Sequence, residues 1–377
     1  MQKNAPILIT GAGGFIGKNL VAALRQQGYG NLLLFEKADT PDTLRRYARQ
    51  AAFVYHLAGI NRPKDPGEFY AGNAGLTDTL LRFLEEAQNP APVLVTSSTQ
   101  AELNNDYGRS KAQAEEAVFA HGQRAGAPVY VFRLPGVFGK WCRPNYNSVV
   151  ATFCYNAAHG LPLTVRDPGY ELPLVYIDDV VRCFIDALGG RTATDRSARP
   201  HCLVSPVHTA TLGHLAGVIG SFMQNRATRE APLLAPGSLE KKLYSTWLSY
   251  LPADQFSYPL PMHCDARGSF TEFLRTPERG QLSVNISKPG VVKGNHWHHS
   301  KNEKFLVVSG EAVIRFRQVD SSEVIEYRVS GKRLEVVDIP TGYTHNIENV
   351  GETDLVTLMW ANEPFDPQAP DTIFLEV

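Results

Sequence analysis

A glycine turn between an apolar strand and an amphipathic helix constrains this chain more than any other feature. Residues 5–10, APILIT, break into GAGGFIG and then the helical run KNLVAALRQQG. Gly11, Gly14 and Gly17 have G-x-x-G-x-x-G spacing, with Phe15 and Ile16 between the last two. Such a turn lets a pyrophosphate approach the backbone and rest on the helix N-terminus, where free amides and the helix dipole favour negative charge. A glycine triplet alone is only a strand-to-helix connection, but these flanks supply the context that dinucleotide binding requires. An α/β, Rossmann-type, doubly wound domain is therefore expected at the start of the chain.

The next segments fit that reading. NLLLF (31–35) reads as a second strand, and Glu36 ends it about twenty residues beyond the last glycine, where an acid accepts from the adenosine ribose and repels a 2′-phosphate. Glu36 thus favours NADH, whereas Lys37, Arg45 and Arg46 would serve a phosphate if Glu36 turned away. AAFVYHLAG (51–59) is a third strand ending in small residues, Leu57 and Ala58 among its last, and a helix with Asn73 near its start follows. PVLVTSSTQ (92–100) ends in hydroxyls, Ser98 and Thr99 among them, and the helix after it carries Tyr107 and Lys111 in YGRSK. At i and i+4, phenol and ammonium share a helical face. Y-x-x-x-K by itself would describe two solvent-facing residues; behind a hydroxyl-rich strand end it describes an acid/base pair. The cation is expected to lower the phenol pKa toward its working range.

From Phe256 onward the texture changes. Short runs such as FTEFL, LSVNIS, KFLVVSG, AVIRFRQV and DLVTLMW, separated by turns about every ten residues, argue for a small all-β barrel or jelly roll. Pro252, Pro259 and Pro261 break any helix before it, which sets the domains at 1–251 and 257–377. Inside the second domain, GNHWHHSKNEKF places His296 and His298 on one face of a strand and Trp297 and His299 on the other. Glu303 opens the next run and His345 lies further along in IPTGYTHN, so His296, His298, Glu303 and His345 form a candidate metal site. Imidazole and carboxylate without cysteine suit zinc, iron, manganese or nickel.

Composition excludes several partners. A chain of 377 residues with lysine plus arginine 37 against aspartate plus glutamate 38 offers nothing to nucleic acid or an anionic membrane. The five scattered cysteines suggest free thiols in a reducing compartment, and neither a leader nor a membrane span is visible, so a cytoplasmic location is expected.

In order, TGAGGFIG, HLAG, the hydroxyl-rich strand end, YGRSK, RLPGVFG (133–139) and VYIDDV (175–180) resemble the extended short-chain dehydrogenase/reductases of the nucleotide-sugar type. Gly290, His296, His298, Glu303 and Gly310, with Pro340, Gly342, His345 and Asn349, resemble the cupin signature. The two halves together resemble the CapF family of bifunctional UDP-sugar epimerase/reductases over the whole chain. The resemblance implies Ser98 or Thr99, Tyr107 and Lys111 as the catalytic set. It also implies Arg133 near the cofactor and Asn145, Arg166, Asp178 and Arg267 toward the sugar nucleotide. It further implies C3 epimerisation of a UDP-4-keto-6-deoxy-N-acetylhexosamine in the cupin domain. NADPH-dependent C4 reduction to UDP-N-acetyl-6-deoxy-L-talosamine would follow, on the route to UDP-N-acetyl-L-fucosamine, in a homodimer. NADPH is preferred on this ground against the indication of Glu36.

Two tensions remain. Only seven residues separate Thr99 from Tyr107, shorter than in the resembled family, so either hydroxyl could partner the phenol. The DARG and KGNHWHH stretches also resemble metal-free sugar epimerases in which the residue at the position of His296 is the catalytic base; if His296 binds metal instead, His299, Lys301 and Tyr343 are the other candidates. A cupin that is only a dimerisation module, or a protein that only senses nucleotide sugars, is the competing reading.

Overall fold

In the computed structural model, which describes residues 1–63, 65–276, 278–368 and 370–377, the chain divides into two compact units. One comprises Met1–Gly220 and Pro236–Pro252, the other Ser221–Ala235 and Ala253–Val377.

The first unit begins with β1 (Ile7–Thr10), α1 (Phe15–Gln26), β2 (Leu32–Phe35), α2 (Pro41–Gln50) and β3 (Phe53–His56). A single turn α3 (Gly67–Phe69) and a π-helical segment Tyr70–Gly75 lead into α4 (Leu76–Glu86). Then come β4 (Val93–Ser98), α5 (Asp106–Ala125) and β5 (Val129–Leu134). The five strands form a parallel sheet in the order β2-β1-β3-β4-β5. Strand alternation explains why helices cover both faces: Ile7, Ile9, Phe53 and Tyr55 pack in one core with Leu20 and Leu24 of α1, while Leu8 and Val54 pack in another with Leu44, Leu80 and Val118. The order reverses between β1 and β3, and the glycine turn follows β1, at the switch point where doubly wound sheets bind ligands.

The rest of this unit contains β6 (Gly136–Phe138), α6 (Val149–Ala158), β7 (Glu171–Tyr176), α7 (Ile177–Leu188) and β8 (His208–Thr211). The strands β6, β7 and β8 make a small sheet, and Val180 and Phe184 of α7 join the α1 side of the core. Helix α8 (Leu212–Thr228) begins in this unit and ends in the other, and α9 (Leu239–Leu248) completes the first.

The second unit is all β. Its strands are β9 (His263–Asp265), β10 (Gly268–Thr276), β11 (Gly280–Ser287), β12 (Val292–Trp297), β13 (Glu303–Ser309) and β14 (Glu311–Gln318). They continue with β15 (Val324–Ser330), β16 (Val336–Ile339), β17 (Tyr343–Asn349), β18 (Leu355–Ala361) and β19 (Ile373–Phe374). Two antiparallel sheets result, β16-β13-β18-β11-β10-β9 and β15-β14-β17-β12-β19. Phe305, Val307, Val337 and Ile339 of the first meet Ile314, Phe316, Val329 and Ile347 of the second in one core, which is why the runs alternate. The stretch 229–231 joins this unit through backbone hydrogen bonds to Arg275 and an ion pair of Arg229 with Glu272 at 2.7 Å. Among the described residues no helix is long and apolar enough to cross a membrane.

Candidate active sites

The glycine turn is built to keep backbone bare. Gly11 has φ +68°, and a Cβ on it would come within 2.8 Å of the Ala58 nitrogen; one on Gly17 would meet the Gly11 carbonyl at 2.2 Å. Leu57 and Ala58 lie against the turn because their amides donate to the Thr10 carbonyl and hydroxyl, each at 3.2 Å. Phe15 and Ile16 open α1 and pack on the core. The Gly13 amide donates to the Glu36 carboxylate, so Glu36 faces the turn. Of the cations near it, Arg45 pairs with Asp42 and Glu86, each at 3.4 Å, and Arg46 lies over the Tyr47 ring.

Behind the turn a buried polar chain fixes Asn73. His56 bridges the hydroxyls of Thr10 (2.8 Å) and Thr77 (2.9 Å), and burial followed by the Lys111 charge pushes its pKa down to about 3, so it is neutral. Thr77 donates to the Asn73 carbonyl at 2.7 Å, and the Asn73 amide donates to Ser110 at 3.0 Å and accepts from the Ile60 amide at 2.9 Å. Sequence reasoning noted Asn73 but missed His56, whose apolar strand context concealed it.

The short span before Tyr107 has a structural reason. Thr99–Glu102 forms a 3-10 turn capped by Ser98, and the Asn105 side chain caps α5 by accepting from the Gly108 amide at 2.8 Å. The close approach needs glycine: a Cβ on Gly108 would reach the Gln100 carbonyl at 2.3 Å. This brings Tyr107 to Ser98, which hydrogen-bonds its phenol, whereas Thr99 is exposed. The Tyr107 ring packs on Phe69 with centroids 5.5 Å apart. Lys111 is buried and donates to the Thr96 carbonyl at 3.2 Å, its Nζ 6.0 Å from the Tyr107 ring centroid. The expected lowering of the phenol pKa is not found. Burial pushes Tyr107 up and outweighs the opposing Ser98 hydrogen bond. Lys111 itself is pushed down to about 8 by burial, with Glu115 opposing.

Arg133 engages Glu115, at 2.7 Å from Nη2, and Glu102, at 2.7 Å from Nη1. Asn145 has φ +54° in a loop tied to the Thr152 hydroxyl at 3.0 Å; Asp178 pairs with Lys140, and Arg166 is exposed ahead of β7. No hydrogen bond or ion pair joins Asn145, Arg166 and Asp178 to one another among the described residues.

In the β unit, His296 on β12 pairs directly with His345 on β17, beside a bulge at Asn295, which has φ +57°. Glu303 opens β13 in the opposite sheet. The ligand atoms of His296, His298, Glu303 and His345 lie within 4.8 Å of one another. One carboxylate oxygen of Glu303 is 3.3 Å from His298 Nε2 and 3.4 Å from His345 Nε2. These three atoms are buried without a hydrogen-bond partner. Orphaned buried acceptors converging on one point fit a divalent cation. The other Glu303 oxygen lies 3.2 Å from Lys301 Nζ. Burial opposes the charge on Glu303, but His298, His345 and Lys301 overcome it and hold its pKa far below the usual range. Burial first, then His345, pushes His296 down to about 4.

His296, Glu303 and His345 line a cavity of about 390 Å³ with Lys301, Arg267, Lys293, His263, Asp265, Phe365 and Met359. Arg267 is oriented by Asp265, at 2.6 Å from Nη2. Lys293 donates to Asn285 and the Ile286 carbonyl, each at 2.8 Å. Of the alternative bases, Lys301 reaches this cavity. His299 is exposed beside Trp297 and Tyr343 packs on the core.

Fold and sites define a dinucleotide-binding enzyme coupled to an all-β domain with a polar, cation-competent cavity. Residues 7–196 match the NAD dependent epimerase/dehydratase family, and residues 263–373 match the polysaccharide biosynthesis C-terminal domain. The chain is 51% identical to the capsular polysaccharide assembling protein CapF of Staphylococcus aureus, with TM-score 0.93, over 98% of this chain and 100% of that one. It is 44% identical to the UDP-2-acetamido-2,6-beta-L-arabino-hexul-4-ose reductase of Pseudomonas aeruginosa over 97% of each chain. The spore coat polysaccharide biosynthesis protein SpsL of Bacillus subtilis is 29% identical over 30% of this chain and 81% of its own. The chain belongs to the CapF family, within the NAD-dependent epimerases/dehydratases.

Proposed function

We propose that this protein is a bifunctional nucleotide-sugar enzyme of capsule or O-antigen synthesis. It epimerises C3 of a UDP-4-keto-6-deoxy-N-acetylhexosamine in the β domain and reduces the C4 ketone in the dinucleotide-binding domain. The product is UDP-N-acetyl-6-deoxy-L-talosamine, on the route to UDP-N-acetyl-L-fucosamine. The observation that carries this reading is the presence of two chemically distinct centres on one chain: Ser98, Tyr107 and Lys111 behind a glycine turn, and the His296, His298, Glu303 and His345 cluster opening on a polar cavity. A cytoplasmic homodimer accompanies the proposal.

The chemistry makes the pairing coherent. A C4 ketone acidifies the C3 proton, so a base can remove it and return a proton to the other face. Lys301 is the candidate left to move that proton when His296 holds a cation, and His296 takes that role only if the site works without one. A divalent cation held by His296, His298, Glu303 and His345, zinc in the first instance, would supply Lewis acidity. In the reductase centre a bound nicotinamide supplies the hydride. Tyr107 gives its phenolic proton to the C4 oxygen while Ser98 orients the phenol, and the Lys111 ammonium, 6.0 Å from the ring centroid, would favour the resulting phenolate. Reduction removes the ketone that made C3 labile, which fixes the new configuration. NADPH is the proposed cofactor. NADH is a second reading favoured by Glu36 at the Gly13 amide, and comparing kcat/KM for the two decides it.

Incubating the enzyme with the 4-keto nucleotide sugar in D2O without nicotinamide is expected to place deuterium at C3. Absence of exchange overturns the epimerase reading and leaves a reductase with a non-catalytic β domain. Measuring metal content alongside exchange in His296→Ala and Lys301→Met identifies the base as the residue whose loss stops exchange while metal is retained.

The reductase has a pH signature. Lys111 in the free enzyme loses its proton as pH rises through about 8, so kcat/KM for reduction should be sustained below that value and fall above it. Lys111→Arg, which stays charged, should move the fall upward. A wild-type profile that stays flat through about pH 8, or a fall that Lys111→Arg does not move, would deny the ammonium its role.

A further inference from the structure

The loop between His298 and Glu303 is held by a residue about seventy positions further along the chain. The Asp371 carboxylate accepts from three successive amides, those of His299 (2.8 Å), Ser300 (2.7 Å) and Lys301 (2.9 Å), and from the Ser300 hydroxyl at 3.1 Å. The Asp371 carbonyl accepts from His298 Nδ1. Directly after it, β19 pairs with β12, Phe374 opposite His296 and Ile373 opposite Trp297, and the Leu375 amide donates to the Asn295 carbonyl at 3.0 Å. Arg317 donates to the Glu376 carbonyl at 2.5 Å, and Thr344, the neighbour of His345, to that of Leu375.

From this geometry we infer that Asp371 is a positioning residue for the metal centre. Its carboxylate fixes the 299–301 loop between two ligands, and its carbonyl locks His298 with the proton on Nδ1 and the Nε2 lone pair turned to Glu303 and His345. The inference rests on the proposed metal site. Ring orientation and tautomer are what a metal demands of an imidazole, and they are set here by the partner of the other ring nitrogen. The three amides would otherwise have no strand to bind, since β12 ends at Trp297 and β13 begins at Glu303. One carboxylate therefore replaces a missing stretch of sheet, and it does so between the two side chains whose separation defines the site. Its acidity agrees with that role: the backbone hydrogen bonds hold the Asp371 carboxyl far below its usual range.

The experiment is zinc binding by the full chain, measured by competition with a chromophoric chelator, together with thermal unfolding of the metal-free protein. Asp371→Ala is expected to weaken zinc about ten- to a hundredfold while metal-free unfolding changes little. Asp371→Asn, which keeps an acceptor oxygen, should recover part of the loss. In the zinc-loaded protein the His298 Nδ1 proton, held by the Asp371 carbonyl, should exchange slowly with solvent in the wild type and faster in Asp371→Ala, whose carbonyl is no longer fixed by the carboxylate's grip on the 299–301 loop. Unchanged zinc affinity in Asp371→Ala overturns the inference while the metal site stands. A wild-type chain that binds no zinc or other divalent ion overturns both. If Asp371→Ala does not fold, Asp371→Asn decides: zinc affinity equal to wild type with unchanged Nδ1 proton exchange counts against the inference, and weaker binding with faster exchange supports it.

Discussion

Tyr107→Phe is expected to lower nicotinamide-dependent reduction of the 4-ketosugar by about two to four orders of magnitude, the range for a lost general acid. Exchange of the C3 proton in D2O should be unchanged in the same protein. The hydroxyl is the only atom removed, so the ring keeps its packing on Phe69 at 5.5 Å and no cavity is left. The structural loss is one hydrogen bond with Ser98, roughly 1 kcal/mol, too little to unfold a domain of this size. Burial raises the pKa of the phenol in the free enzyme, which makes Tyr107 a proton donor rather than a standing phenolate and suits the reductive direction. If the variant keeps its reductase rate, Tyr107 is not the acid. If C3 exchange falls with it, the two chemistries do not occupy separate centres.

The parts of these sites visible in sequence are those that depend on local geometry. Gly11, Gly14 and Gly17 lie within one turn, Tyr107 and Lys111 one helical turn apart, and His296 and His298 two residues apart, so helix and strand periodicity suffice to place them together. The parts that stayed hidden are set by sheet order. Lys293, Asp265 and His263 reach one cavity with His296 because β9, β10 and β12 fold around a common interior, which no residue spacing announces. Asp371 is invisible for the same reason, its partners lying about seventy residues earlier. The pKa of Tyr107 was misjudged because spacing shows the neighbouring cation and not the burial that opposes it. His56 shows the converse, a titratable group that reads as part of an apolar strand until its hydroxyl partners are seen.

The largest effect in the β domain is expected from Glu303→Gln. Glutamine matches glutamate in shape, so packing at this buried position is preserved and only the charge is lost. In the native chain that charge stands between His298 and His345, one oxygen 3.3 and 3.4 Å from their Nε2 atoms and the other 3.2 Å from Lys301. In the metal-free chain that charge is stabilised by His298, His345 and Lys301, which hold the Glu303 pKa far below its usual range, and neutralising it takes a partner from Lys301. Metal-free Glu303→Gln should therefore unfold at a lower temperature than the metal-free wild type. Metal affinity should fall by at least about a hundredfold, since the substitution removes the only anionic ligand of the four and exceeds the 10- to 100-fold cost of losing a supporting contact. Deuterium incorporation at C3 should fall with metal content, while reduction of a supplied C3-epimerised ketosugar continues at the wild-type rate. The loss of affinity is what separates a functional carboxylate from a structural one: a carboxylate that merely holds the sheets together would lose stability on substitution and leave metal binding intact. Wild-type metal content in Glu303→Gln would remove Glu303 from the ligand set, and undiminished exchange in a metal-depleted sample would assign the epimerisation to His296 or Lys301 without the ion.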